Sequence, residues 1–68
     1  MTNSKALANL AFETWKASGD HTYERATALV EFFATSYFGP APRPRELAEM
    51  IGSAKLIATD KVRSLVTR

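Results

Sequence analysis

Gly39-Pro40-Ala41-Pro42-Arg43-Pro44-Arg45-Glu46-Leu47-Ala48-Glu49-Met50-Ile51-Gly52 is the stretch whose reading decides the fold. Each of its three prolines fixes its own φ and restricts the residue before it, so 39–44 reads as a stiff, extended connection. Gly39 is a helix stop, and Pro44 suits the first position of the next helix, where a missing N–H costs nothing. A short helix over 44–51 then turns Leu47, Ala48, Met50 and Ile51 inward, and Gly52 is its expected end. A further helix is expected over 54–67, with Ala58, Val62, Leu65 and Val66 on its inner face and Asp60, Arg63, Ser64 and Thr67 pointing away.

Upstream of Gly39 the periodicity is again helical. Asp20 or Thr22 can cap a helix over 21–38, which carries Tyr23, Phe32, Phe33, Tyr37 and Phe38. Phe32 and Phe33 diverge by about 100°, so this helix is apolar around much of its circumference and is expected at the centre, buried on several sides. Asn3 and Ser4 can cap a first helix over 4–18, ended by Gly19, with a stripe of Leu7, Leu10, Ala11 and Trp15 and with Phe12 at its shoulder. No run alternates as a half-buried strand does. The fold class is therefore all-α: one small domain, 1–68, built as a compact bundle of about four helices (4–18, 21–38, 44–51, 54–67).

Composition narrows the function. The chain has 68 residues, no cysteine, a single histidine and a net charge of +2. Without cysteine there is no disulfide framework, thiol nucleophile or thiolate metal cluster. His21 stands between Asp20 and Thr22 at a helix start, with no nucleophile at a recognisable motif position. The glutamates have no metal-ligand spacing with it, and no glycine-rich phosphate loop is present. The reading is a protein that is not an enzyme and has no cofactor, metal or catalytic residue. No targeting segment and no membrane span is legible, and a soluble cytoplasmic protein is expected.

The charge is unevenly placed. Residues 1–38 hold Lys5, Lys16 and Arg25 against Glu13, Asp20, Glu24 and Glu31, a net of minus one. Residues 39–68 hold Arg43, Arg45, Lys55, Lys61, Arg63 and Arg68 against Glu46, Glu49 and Asp60, a net of plus three. An acidic partner would therefore meet the second half.

The segment 39–52 resembles the helix-turn-helix of the SOS-repressor (LexA-like) DNA-binding domain. Gly39, Pro42, Arg45, Glu46, Leu47, Ala48, Glu49 and Gly52 stand in that family's register, and the resemblance extends over about 22–68. It implies a small residue, Ala48, at the helix crossing, a turn at Gly52, and a following helix laid in the major groove. Under that reading Arg43, Arg45, Lys55, Lys61, Arg63, Ser64, Thr67 and Arg68 would contact DNA, with Arg as the usual reader of guanine. In this sequence Ser53 stands where the family closes the turn with an aliphatic, and Asp60 lies on the reading face.

The other candidate surface is aromatic. Trp15, Phe32, Tyr37 and Phe38 could anchor a protein partner, because aromatics dominate interface hot spots, although a domain this small needs most of its aromatics inside. The leading expectation is a small helical interaction protein acting on a partner protein as adaptor, anti-activator or inhibitor, of the kind that phages and mobile elements encode. The alternative is a minimal helix-turn-helix DNA-binding transcriptional regulator, and a third reading is an assembly subunit. A homodimer is compatible with each, and no membrane partner is expected.

Overall fold

The computed structural model describes residues 3–66, which form three helices: α1 (Asn3–Ala17), α2 (Tyr23–Phe38) and α3 (Arg45–Val66). Among the described residues there is no strand, and no helix is long and apolar enough to cross a membrane. The helices run up, down and up, each packed on both others. The longest dimension, 37 Å, is close to the ~33 Å length of a 22-residue helix at 1.5 Å per residue, so the bundle is one helix tall.

The expected punctuation forms at both ends of α2. Thr22 is its N-cap: the Thr22 Oγ1 accepts the Arg25 amide at 3.1 Å, satisfying one of the amides that a helix start leaves without an internal partner. Gly39 is its C-cap at φ 101°, and its amide donates to the Thr35 carbonyl at 3.0 Å. At this φ a side chain would be strained, so glycine is required. Pro44 precedes α3, and its carbonyl accepts the Ala48 amide at 3.0 Å, the first bond of that helix.

The structure corrects the second half. The two helices expected over 44–51 and 54–67 are one continuous helix, and no turn forms at Gly52 or Ser53. Gly52 keeps a negative φ and has open space where a Cβ would stand. The reason is a stripe that runs across the glycine. Ile51, Ala54, Ala58 and Val62 are all buried, spaced three, four and four apart, and lie on one face of an unbroken helix. A glycine inside a helix costs about 1 kcal/mol relative to alanine, less than burying a single side chain such as Ile51 or Val62 contributes. Breaking at Gly52 would rotate one half of the stripe away from α1 and α2.

Three further expectations change with the packing. Leu65 and Val66, expected inside, are exposed at the last turn of α3, and Ala48 is exposed at its first. In α1 the buried set is Leu7, Ala8, Ala11 and Trp15, with Leu10 only half-buried. Most consequentially, α2 is not a central helix. It buries Ala26, Leu29, Val30 and Ala34, keeps Phe33 partly buried against the core, and leaves Tyr23, Phe32, Tyr37 and Phe38 exposed.

Small side chains explain how so narrow a core closes. Ala8, Ala11, Ala26, Ala34, Ala54 and Ala58 are fully buried, two on each helix, and they let the backbones approach closely. The volume comes from Trp15, Val30 and Val62, the largest fully buried side chains.

Candidate functional site

Each pair of helices meets along an outer seam, and the three seams differ in chemistry. Between α2 and α3 the contact is ionic. The Glu31 carboxylate accepts from the Arg43 guanidinium and from Lys55 Nζ at 3.1 Å. Arg43, in the connection, also donates from Nε to the Gly39 carbonyl at 3.0 Å and from Nη2 to Thr35 Oγ1 at 2.6 Å. Its side chain is only 9% exposed. The hydrogen bond from Arg43, with that from Lys55, holds the Glu31 carboxyl below its ordinary value of 4.5. This clamp ties 39–44 down along α2 and against α3.

Between α1 and α3 the contact is cationic over an aromatic ring. Lys61 Nζ lies 5.7 Å and Lys16 Nζ 5.2 Å from the Phe12 centroid, within cation–π range. Between α1 and α2 the seam is apolar and opens into a groove of about 270 Å³, lined by Asn3, Ala6, Leu7, Leu10, Tyr37 and Phe38. None of these carries a charge. Tyr37 is 66% and Phe38 43% exposed.

The groove continues a neutral tract. From Phe32 to Pro42 no residue is charged, and the residues that bound the tract, Glu31 and Arg43, pair with each other. Phe32, Thr35 to Phe38 and Pro40 to Pro42 within it are exposed. The ion pair thus anchors the base of an exposed, neutral, aromatic- and proline-bearing end of the bundle. Small-molecule sites typically measure about 300–1,000 Å³, so an open groove of 270 Å³ suits one or two apolar side chains of a macromolecule better than a metabolite.

The four expected aromatic anchors separate. Tyr37 and Phe38 share the groove. Phe32 is exposed with its ring edge-on to Phe33 at 5.3 Å, but five residues before Tyr37 it points about 140° away around α2 and forms no part of the groove lining. Trp15 is 1% exposed and belongs to the core. Its indole N–H donates to the Thr22 carbonyl at 2.9 Å, and its ring stacks with Phe12 at a centroid distance of 5.8 Å and lies tilted against His21 at 4.7 Å.

The expected DNA-contacting residues do not gather on one face. Arg43 and Lys55 are engaged with Glu31. Arg45 pairs with Glu49 at 3.4 Å and Arg63 with Asp60 at 3.6 Å, both along α3 itself. Lys61 lies over Phe12. Two residues apart on a helix, Lys61 and Arg63 point about 160° away from each other. Ser64 is exposed, while Thr67 and Arg68 lie outside the described residues.

Sequence reasoning missed Ala6, Leu7 and Leu10 as groove residues, and Glu31 and Thr35 as the partners that hold Arg43. A signal for the second pair was present: Glu31 and Arg43 bracket the neutral tract. For the groove there was none, because Leu7 and Leu10 read as core at helical spacing.

No family model, curated protein or solved structure matches this chain.

Proposed function

We propose that this chain is a small helical interaction protein that docks a partner protein at its neutral aromatic end and acts as an adaptor, anti-activator or inhibitor. The observation that carries this is the open groove beside Tyr37 and Phe38, where two exposed aromatic side chains stand together against a lining that carries no charge. It suits an apolar anchor better than the second groove, of about 310 Å³ between the ends of α1 and α3, which has Lys16 and His21 in its lining. Affinity capture from a lysate with the wild-type chain and with Tyr37→Ser tests it. A partner retained by the wild type and lost by the variant is the expected result; identical sets of captured proteins would remove the support.

The DNA-binding reading has one observation in its favour, the net charge of plus three in residues 39–68, together with the resemblance of 39–52 to a LexA-like segment. Among the described residues its cations do not gather on one face, and Arg43 and Lys55 are held by Glu31, which is why it stands second. Affinity for duplex DNA that falls steeply with salt and is lost in Arg63→Ala and Lys61→Ala would promote it.

A further inference from the structure

We infer that the neutral aromatic end is self-complementary, and that two copies of this chain pair through it about a two-fold axis, with Tyr37 and Phe38 of each copy entering the groove of the other beside Ala6 and Leu10. The inference rests on the reading of this end as a docking surface and names its occupant in the absence of another protein. A two-fold contact requires one patch to carry both a projection and the recess that receives it, because whatever one copy offers it must also accept. Tyr37 and Phe38 meet that condition: they project from α2 and they also form one wall of the groove whose other wall is Asn3, Ala6, Leu7 and Leu10.

Charge selects the same face. In a two-fold contact a charged group on the axis meets its own copy, and charged groups around it must be desolvated. Copies apposed through the Lys16 and Lys61 seam would bring cations together, and copies apposed through the Glu31, Arg43 and Lys55 clamp would have to desolvate an ion-paired cluster. The tract from Phe32 to Pro42 and the groove lining carry none. A chain of net charge +2 can therefore approach its copy most closely here.

Area limits the strength. An aromatic side chain offers 150–250 Å² when fully buried, so Tyr37 and Phe38, at 66% and 43% exposure, hold roughly 200 Å² between them. With Ala6 and Leu10 the patch comes to roughly 300–400 Å², no more than the largest single patch on an ordinary monomer. A standard interface uses about 800 Å² per partner. The pair is therefore weak and reversible, and a partner protein that covers more surface displaces the second copy.

Sedimentation equilibrium of the full chain between about 10 μM and about 1 mM tests this, a range that brackets the affinity expected of half a standard interface. The weight-average mass is expected to rise with concentration from 7.5 kDa toward twice that value. Tyr37→Glu, which places a carboxylate on both sides of the contact, should hold the mass at 7.5 kDa with an unchanged circular dichroism spectrum. Leu56→Glu, at a leucine 70% exposed on the outer face of α3, should associate as the wild type does. Because the chain has no cysteine, mixing the single variants Ala6→Cys and Phe38→Cys under oxidation should give their mixed disulfide, and this decides the matter should Tyr37→Glu disturb the fold. A wild-type mass that stays at 7.5 kDa throughout, or a dimer indifferent to Tyr37→Glu, overturns the inference. If the monomeric chain still captures a protein through Tyr37, the second copy is refuted as occupant while the docking surface stands; if capture fails too, both fall.

Discussion

The two ends of the bundle each carry aromatic side chains, and they treat them oppositely. At the end where α1 finishes and α2 begins, the connection closes over Trp15. Ser18 donates from Oγ to the Trp15 carbonyl at 2.9 Å, the indole N–H donates to Thr22, and His21 lies against the ring. At the opposite end the connection is drawn away. Arg43 bonds to Gly39, Thr35 and Glu31 and holds residues 39–44 on the side of α3, so no residue of the connection lines the groove beside Tyr37 and Phe38. The difference lies in the polar handle. Trp15 has an N–H that a neighbouring carbonyl can hold inside, whereas the clamp at the other end engages Arg43 and leaves the aromatics out. The second groove, of about 310 Å³, opens beside Trp15 between the ends of α1 and α3, with Lys16 and His21 in its lining; the two ends therefore differ in which aromatics they bury and in the charge around the groove.

The largest effect should come from breaking the end that buries Trp15. Trp15→Ala removes the largest fully buried side chain and an internal hydrogen bond, a loss of about 3–5 kcal/mol. A domain of this size has a total stability of roughly 3–10 kcal/mol, so the substitution should remove roughly a third or more of it, seen as a large fall in melting temperature. Trp15→Phe keeps most of the ring and removes the indole bond, and should cost about 1–2 kcal/mol.

Releasing the clamp should make the Tyr37 end mobile without unfolding it. Arg43→Ala is expected to cost about 1–2 kcal/mol in denaturant titration and to weaken partner capture, because the neutral tract loses its anchor. The same clamp gives the protein an acid limb. Glu31 has a folded pKa below its ordinary value of 4.5, so its contribution is complete above that value and is lost as pH falls through the lower, folded one. Melting temperature against pH should therefore decline below about 4.5, with a shallower slope in Glu31→Gln. An identical acid limb in that variant would mean that the clamp does not hold this end in solution.

Midway between the ends, Gly52→Ala should raise stability by about 0.5–1 kcal/mol, seen as a higher melting temperature, because the position is helical and a Cβ there meets nothing within 4 Å. A turn at Gly52 would reverse the sign, so this substitution separates one continuous helix from two. The smallest effect on stability belongs to Tyr37→Ser, expected within about 0.5 kcal/mol of wild type because the ring is mostly exposed. Substituting Trp15 should thus change folding and substituting Tyr37 should change binding; a Tyr37 variant that melts like a core mutant would erase the distinction between the two ends.

How far the sequence reached can be followed residue by residue. The Thr22 cap, the Gly39 stop and the start of a helix after Pro44 were legible because each is a local backbone requirement, met within four residues of chain. The pairing of Arg43 with Glu31 was signalled only by opposite charges at the two ends of the neutral tract; the contact joins positions twelve apart across a connection whose path no local rule fixes. The orientation of the aromatics was closed to sequence. Phe33 and Tyr37 lie on the side of α2 that also carries the core, yet Phe33 packs against it and Tyr37 stands open in the last turn. The candidate surface was half visible: Phe32, Tyr37 and Phe38 were named with Trp15, and only burial separated Trp15 from the other three.

By itself the sequence determined an all-α chain, its helix starts and stops around α2, and the stiffness of the proline connection, because caps, glycine φ and proline φ act over a single turn of chain. Tertiary structure alone decided that 45–66 is one helix and that Trp15 is inside while Tyr37 and Phe38 are outside. The reason is energetic. The local preference of Gly52 to end a helix is worth about 1 kcal/mol, and the burial of Ile51, Ala54, Ala58 and Val62 on one face outweighs it only when α1 and α2 are there to receive that face.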